Sequence, residues 1–253
     1  MYPTIPFGPL ALPTGPIILL LATMLGLEMA GRFGRRLGLA IDDVWNTGLL
    51  ALAAGLIVAR LWNIVTFWPI YLDQPGLVLS LRPSGFVLWP GLIAALVAAY
   101  ANLLRRSLDP LRMAAAFAVG AVAAGIAISA GAYLTGSVVG VRSDVPWALA
   151  YFGERRHPVA LYQAAGLWLL FVTLLLVSRP HQPGRTVLYA VLGYSLIRLF
   201  TDAFVDEPML IGQFRLSQVI ALAAALVCVW RLAQQSRQSE PASPASEEMT
   251  EPS

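Results

Sequence analysis

The residues whose types and spacing suit chemistry are a few charged and polar groups set in apolar sequence. In "LGYSLIRLFTDAF", Tyr194 stands four residues before Arg198 and Asp202 four residues after it. Helical spacing places all three on one slowly drifting stripe. A guanidinium and a carboxylate so placed can pair, which removes much of the cost of burying either within a membrane. The pair then either locks its helix to a neighbour, or the carboxylate orients the guanidinium towards an anion. A planar guanidinium binds two oxygens of a phosphoryl group at once. A second group is "GERRHPVALYQ", where Arg155, Arg156 and His157 come just before a predicted helix start. Unpaired amides there already favour an anion. Tyr162 and Gln163 follow one turn later. This set suits a lipid phosphate, or it lies at headgroup level with no specific ligand. Arg60, in "LIVARLWNI", is an arginine inside an apolar run. His181 lies in a polar turn and Cys228 in an apolar run, and neither has neighbours that suggest chemistry.

The elements that must position these groups are transmembrane helices. Of 253 residues, 58% are hydrophobic and 12% charged, where a soluble domain carries about 25% charged residues. A spanning helix needs roughly 20 apolar residues. Seven segments qualify, near 10–30, 44–66, 85–104, 111–134, 158–178, 187–205 and 214–232. The expected fold is therefore an all-α integral membrane protein with seven transmembrane helices. Asp42 is placed to cap the second span, Asp109-Pro110 the fourth and His157-Pro158 the fifth. Arg32, Arg35, Arg36, Arg105, Arg106, Arg112, Arg179, Arg185, Arg231 and Arg237 follow odd-numbered spans. Only Arg82, Arg142, Arg155, Arg156 and Arg215 fall in the opposite connections. That bias puts the N-terminus outside and the C-terminus inside. Residues 67–84 suit an interfacial segment, and residues 135–157 a small external cap between spans four and five. A transmembrane domain over 1–233 and a disordered, polar cytoplasmic tail over 234–253 complete the expected organisation.

Composition also excludes. The 17 basic residues are all arginine, so no lysine Schiff base can form. One cysteine allows neither an internal disulfide nor a cysteine metal cluster. No metal or cofactor is expected, and a formal charge of +3 does not call for a nucleic-acid partner. No charged segment with a small-residue cleavage site precedes the first apolar run, which is expected to stay as an anchor. No internal repeat of the inverted-transporter kind is visible.

With these residues placed, the chain resembles the prolipoprotein diacylglyceryl transferase family from about residue 8 to 230. "RHPVALYQ" looks like the family's RHPxxLYE, and "GYSLIRLFTD" like its GYxxxRxxxE. "ARLWNIV", "SDVPWALAYF" and "LSQV" are supporting matches in the right order. The resemblance implies seven transmembrane helices in the bacterial plasma membrane. It implies phosphatidylglycerol as diacylglyceryl donor and the lipobox cysteine of a prolipoprotein signal peptide as acceptor. It implies that Arg60, Arg156, Arg198, Tyr162 and Gln163 hold the lipid phosphate, with Tyr194, Arg198 and Asp202 in the catalytic set.

The chain departs from the family where proton transfer is expected. "SGFVLWPGLIAA" stands against GGMSFHGGLIG, so Trp89 replaces the family histidine and Pro90 a glycine. A tryptophan accepts no proton. On the fourth span, "GIAISAGAYLTG" stands against GRxGNFxNxExxG. There Gly125 replaces the arginine, Ile128 and Gly131 the asparagines, and Tyr133 the glutamate. Gly15, in "PTGP", replaces the tyrosine of HWYG. Gln163 and Asp202 each replace a glutamate. Two functions stay open on these residues: a divergent transferase in which His157 supplies the base, or a pseudoenzyme that keeps the fold and a phospholipid site. A transferase with another acceptor is a third.

Overall fold

The computed structural model describes residues 4–7, 10–79, 85–151, 153–206, 208–211 and 213–238. Seven of its helices are long and apolar enough to cross a membrane. Hydrocarbon offers backbone amides no water, so each crossing segment must satisfy them internally as a helix. The spanning helices are α1 (Thr14–Arg36), α2 (Ile41–Thr66), α4 (Leu88–Arg105), α5 (Pro110–Thr135), α6 (Val159–Val177), α7 (Pro183–Thr201) and α8 (Leu216–Gln238). A short helix, α3 (Trp68–Asp73), and a 3-10 turn over Pro75–Leu79 follow α2. Trp68, Ile70 and Leu72 of α3 are exposed. Residues 80–84 of the expected interfacial segment, Arg82 among them, lie outside the described residues.

Several boundaries differ from the sequence reading. Residues 10–13 form strand β2 (Leu10–Pro13), paired antiparallel with β1 (Thr4–Phe7), so the first span begins at Thr14. Pro13 disfavours the helical region for Leu12 before it. Arg32, Arg35 and Arg36 are not in a loop but in the last turns of α1, where positive charge offsets the helix dipole. Asp42 does not cap α2, whose N-cap is Ala40. Asp42 and Asp43 occupy its first turn instead, and Asp43 pairs with Arg106 at 2.8 Å. Asp109 caps α5 as expected, accepting from the amides of Leu111 and Arg112 at 2.8 and 3.3 Å. Pro158, not His157, precedes α6, without a side-chain cap. α7 is Pro183–Thr201, with a 3-10 turn Asp202–Phe204 after it. Residues 234–238 of the expected tail continue α8, and 239–253 lie outside the described residues.

Lipid tails are as apolar as leucine, so membrane helices associate through close packing at small residues. α1 and α5 meet in this way. A Cβ on Gly120 would lie 2.4 Å from the Gly26 carbonyl oxygen and 2.8 Å from the Ala30 Cβ. α2 and α4 form a second close pair, in which a Cβ on Gly91 would lie 2.8 Å from both the Gly55 carbonyl oxygen and the Ala59 Cβ. The Trp89-Pro90-Gly91 triplet falls in the first turn of α4. Proline is tolerated there because the first-turn amides have no intrahelical partner. Gly91 makes the contact with α2, and Trp89 is 69% exposed.

Two cores join the bundle, both weighted to its arginine-rich end. One unites Phe33 of α1 and Leu37 just after it with Val119, Leu167, Leu174 and Ala190 of α5, α6 and α7. The other unites Ala30, Leu39, Val44, Leu103, Met113 and Ala116. Connections at this end are short: residues 37–40, 106–109 and 178–182. At the other end lie the β1–β2 hairpin, α3, the hairpin β3 (Leu149–Tyr151)–β4 (Glu154–Arg156) and the hairpin β5 (Leu210–Ile211)–β6 (Phe214–Arg215). There α2 and α4 pack chiefly on each other, while α7 packs on α5, α6 and α8.

The glycine seam makes a direct prediction. Gly120→Val should lower stability by roughly 1–3 kcal/mol through overpacking, read as a fall in the thermal midpoint in mild detergent. Gly15→Ala, where a Cβ meets nothing within 4 Å, should leave the midpoint unchanged.

Candidate functional site

Arg198 and Asp202 close the last turn of α7. Arg198 Nη2 lies 3.0 Å from Asp202 Oδ2, with the arginine side chain 32% exposed and the aspartate 2%. Among the described residues neither Asp202 oxygen receives a well-aligned hydrogen bond, so the guanidinium is its counter-charge. This is the pairing expected from sequence, and it leaves the Arg198 side chain partly exposed. Tyr194, one turn earlier, is half exposed. The free carbonyls at the helix end are met from α8 and the strand before it. Arg215 Nη1 donates to the carbonyls of Asp202 and Val205, the latter at 3.0 Å. Gln218 Nε2 donates to the Leu199 carbonyl at 3.0 Å. Sequence reasoning missed both residues. The available signal was a polar pair, Arg215 and Gln218, at the very start of an apolar run.

The start of α6 stands beside this helix end. Gln163 is buried and its Nε2 donates to Thr201 Oγ1 at 3.4 Å, joining α6 to α7. His157 Nδ1 lies 3.1 Å from the Tyr162 hydroxyl, which also accepts from Trp147 Nε1 at 2.7 Å. Phe204, two residues after Asp202, packs on His157 with centroids 4.8 Å apart and on Tyr162 at 6.1 Å. The structure therefore brings His157, Tyr162, Gln163, Arg198 and Asp202 to one corner, where α6 begins and α7 ends. Gly140 fits against this corner because a Cβ there would lie 2.2 Å from the His157 carbonyl oxygen.

The other two arginines are engaged by protein. Arg156 donates to Asp206 at 2.5 Å, Glu154 at 2.8 Å and the Gly140 carbonyl at 3.1 Å. The hydrogen bond to Asp206 is the main cause raising its pKa above the usual arginine value. Arg142 joins the same network through Glu154 at 2.7 Å. Arg155 donates to the carbonyls of Val145 and Pro146 at 3.1 and 3.3 Å. These arginines bind the connection between α5 and α6 into a folded unit. Arg60 donates to the carbonyls of Gly85 at 2.8 Å, Val78 at 3.3 Å and Leu77. It also lies against the rings of Tyr71 and Phe86, 5.6 and 5.5 Å from their centroids. Arg60 is on α2, which packs on α1, α3 and α4, so it belongs to a different part of the bundle from Arg198.

The positions that depart from the family have structural uses. Gly125, where the family has arginine, faces α6, and a Cβ there would lie 3.1 Å from Leu167 Cδ1. Tyr133, where the family has glutamate, packs edge-on against Tyr151 at 6.1 Å. The Tyr151 hydroxyl is buried without a hydrogen-bond partner among the described residues. Burial pushes its phenol pKa up, and neighbouring Tyr133 adds to the rise. Among the described residues no group of three or more metal-ligating side chains occurs.

Comparison with known proteins agrees with this architecture. Residues 4–234 match the prolipoprotein diacylglyceryl transferase family. The chain is 27% identical over 207 residues to the phosphatidylglycerol–prolipoprotein diacylglyceryl transferase of Clostridioides difficile, covering 81% of this chain and 84% of that one. It is 27% identical over 211 residues to the transferase of the same name from Finegoldia magna, covering 82% and 84%. The corresponding protein of Synechococcus elongatus is 24% identical over 237 residues, covering 86% and 81%. Seven spanning helices and bacterial relatives make this a multi-pass protein of the bacterial inner membrane. The match covers all seven helices and the corner they frame, and the chain belongs to the prolipoprotein diacylglyceryl transferase family.

Proposed function

We propose that this chain transfers the diacylglyceryl group of phosphatidylglycerol to the cysteine thiol of a prolipoprotein lipobox. The observation that carries the reading is the Arg198–Asp202 pair, partly exposed on its arginine side and two residues before Phe204, which packs on His157 and Tyr162. The relatives' names supply the donor and the acceptor class. Arg198 takes the phosphate while Asp202 fixes the guanidinium plane, an arrangement suited to bidentate anion binding. Tyr194, Tyr162 and Gln163 line the same corner. Arg156 and Arg60 act through the walls they hold rather than at the phosphate itself. The bias of arginine towards the other end supports an outward-facing site with the N-terminus outside and the C-terminus inside. The connection between α5 and α6 then forms an external cap, where an acceptor peptide would arrive.

In the transfer, the cysteine sulfur attacks the glyceryl carbon that carries the phosphate. The S–C bond forms, the C–O bond breaks, and glycerol phosphate leaves with the bonding pair. The thiol proton goes to His157 Nε2. That role requires the tautomer in which His157 Nδ1–H donates to the Tyr162 oxygen, freeing Nε2. A thiol is partly ionised near neutral pH and strongly nucleophilic, so a histidine base suffices without the family histidine at position 89. Charge on the departing phosphate is met by Arg198.

Purified protein given phosphatidylglycerol and a lipobox peptide should add a diacylglyceryl mass to the cysteine. Arg198→Ala should lower that rate at least about 100-fold, with Arg198→Lys intermediate. His157→Ala should lower kcat by roughly 10²–10⁴-fold with a smaller change in KM for lipid. Removing Arg198 alone also strands a buried carboxylate, at a cost of roughly 3–5 kcal/mol. Arg198→Ala/Asp202→Asn should therefore recover most of the lost thermal stability without recovering transfer. No product from the wild type, with phosphatidylglycerol still bound, would instead establish a phospholipid-binding protein. That reading is favoured by Trp89, Gly125 and Tyr133 at positions where the family keeps ionisable groups.

A further inference from the structure

At the arginine-rich end, the last turns of α1 and the end of α6 flank an open-mouthed cavity of about 520 Å³. Arg32, Arg35 and Arg36 form its polar rim from the last turns of α1, with Phe33 below them and Phe171 and Leu175 on the α6 side. Arg36 Nη1 donates to the Leu175 carbonyl at 3.3 Å, which ties the two helix ends together and fixes that guanidinium at the mouth. Arg32 pairs with Glu28 at 2.6 Å. Among the described residues the Arg35 guanidinium has no ion-pair or hydrogen-bond partner, and the residue is exposed. Three cations and one carboxylate thus meet over an apolar floor.

We infer that this cavity is a second lipid site, taking the headgroup of an anionic glycerophospholipid. The phosphodiester lies between Arg35 and Arg36, and the first methylenes of the acyl chains lie against Phe171 and Leu175. The chemistry is complementary at both levels, since basic pockets between helix ends select anionic headgroups and guanidinium forks match phosphate geometry. Helix-dipole compensation would account for basic residues in the last turn of α1. It does not call for a cavity with apolar walls drawn from a second helix. The site lies near the end of α6 opposite Tyr162. Leu175 is thirteen residues further along, about 20 Å at the helical rise. It is therefore separate from the proposed transfer site and independent of the reading given to that site.

Native mass spectrometry of the full chain tests it, with dioleoyl phosphatidylserine and dioleoyl phosphatidylcholine as probes. The wild type should bind the serine lipid about tenfold more tightly, and Arg35→Ala/Arg36→Ala should reduce that preference to under about twofold. Leu175→Trp, which crowds the apolar wall and keeps every arginine, should also reduce it. That second variant distinguishes a built cavity from loose attraction to basic surface, and it keeps the test open if the double variant folds poorly. Equal binding of the two lipids by the wild type would overturn the inference. So would a preference unchanged in both variants, or one lost in Arg198→Ala while Arg35 and Arg36 are intact.

Discussion

The molecule depends on the seam where the backbones of α1 and α5 touch. With no hydrophobic effect to press helices together in lipid, contact distance decides how much dispersion energy each pair gains. Gly26 and Gly120 bring the two axes as near as backbones allow. From that seam α5 reaches α6 and α7 through Val119, Val122, Leu167 and Ala190. α1 reaches α2 through Gly48, whose absent Cβ leaves room for Leu27. Every polar group of the corner sits on an element that is held, directly or at one remove, by this pair.

The uneven placement of the cores gives the bundle its working shape. Buried apolar side chains concentrate towards the end where the connections are short. At the other end the helices are joined by longer, hydrogen-bonded segments that carry the ionisable residues. Apolar packing thus dominates the arginine-rich end, and polar networks shape the end proposed for transfer. Arg142, Glu154, Arg156 and Asp206 illustrate the second strategy, four charges whose pairing ties the α5–α6 connection to the segment after α7.

The sequence showed the spans because length and hydropathy alone decide whether a helix can cross. It showed the Arg198–Asp202 pair because helical spacing converts directly into contact. The ends of the spans were less legible. Arg32, Arg35 and Arg36 look like loop residues by charge, yet a helix can run on into the headgroup region, where its dipole favours them. Asp42 has a capping side chain, but the helix starts one residue before it. The roles of Arg60 and Arg156 were beyond local pattern altogether. Their partners lie 16 to 50 residues away in sequence, apart from Glu154, and several are backbone carbonyls, which carry no sequence signature. Residue type told which groups are cations, while the fold decided which cations remain unspent.

The guanidinium of Arg60 has a mechanical consequence. It ties Leu77, Val78 and Gly85 to α2 through their three carbonyls. Gly55 and Gly91 rivet α4 to the same helix. α2 is therefore the common support of this side of the bundle, holding α4 through glycine contacts and residues 77, 78 and 85 through one side chain.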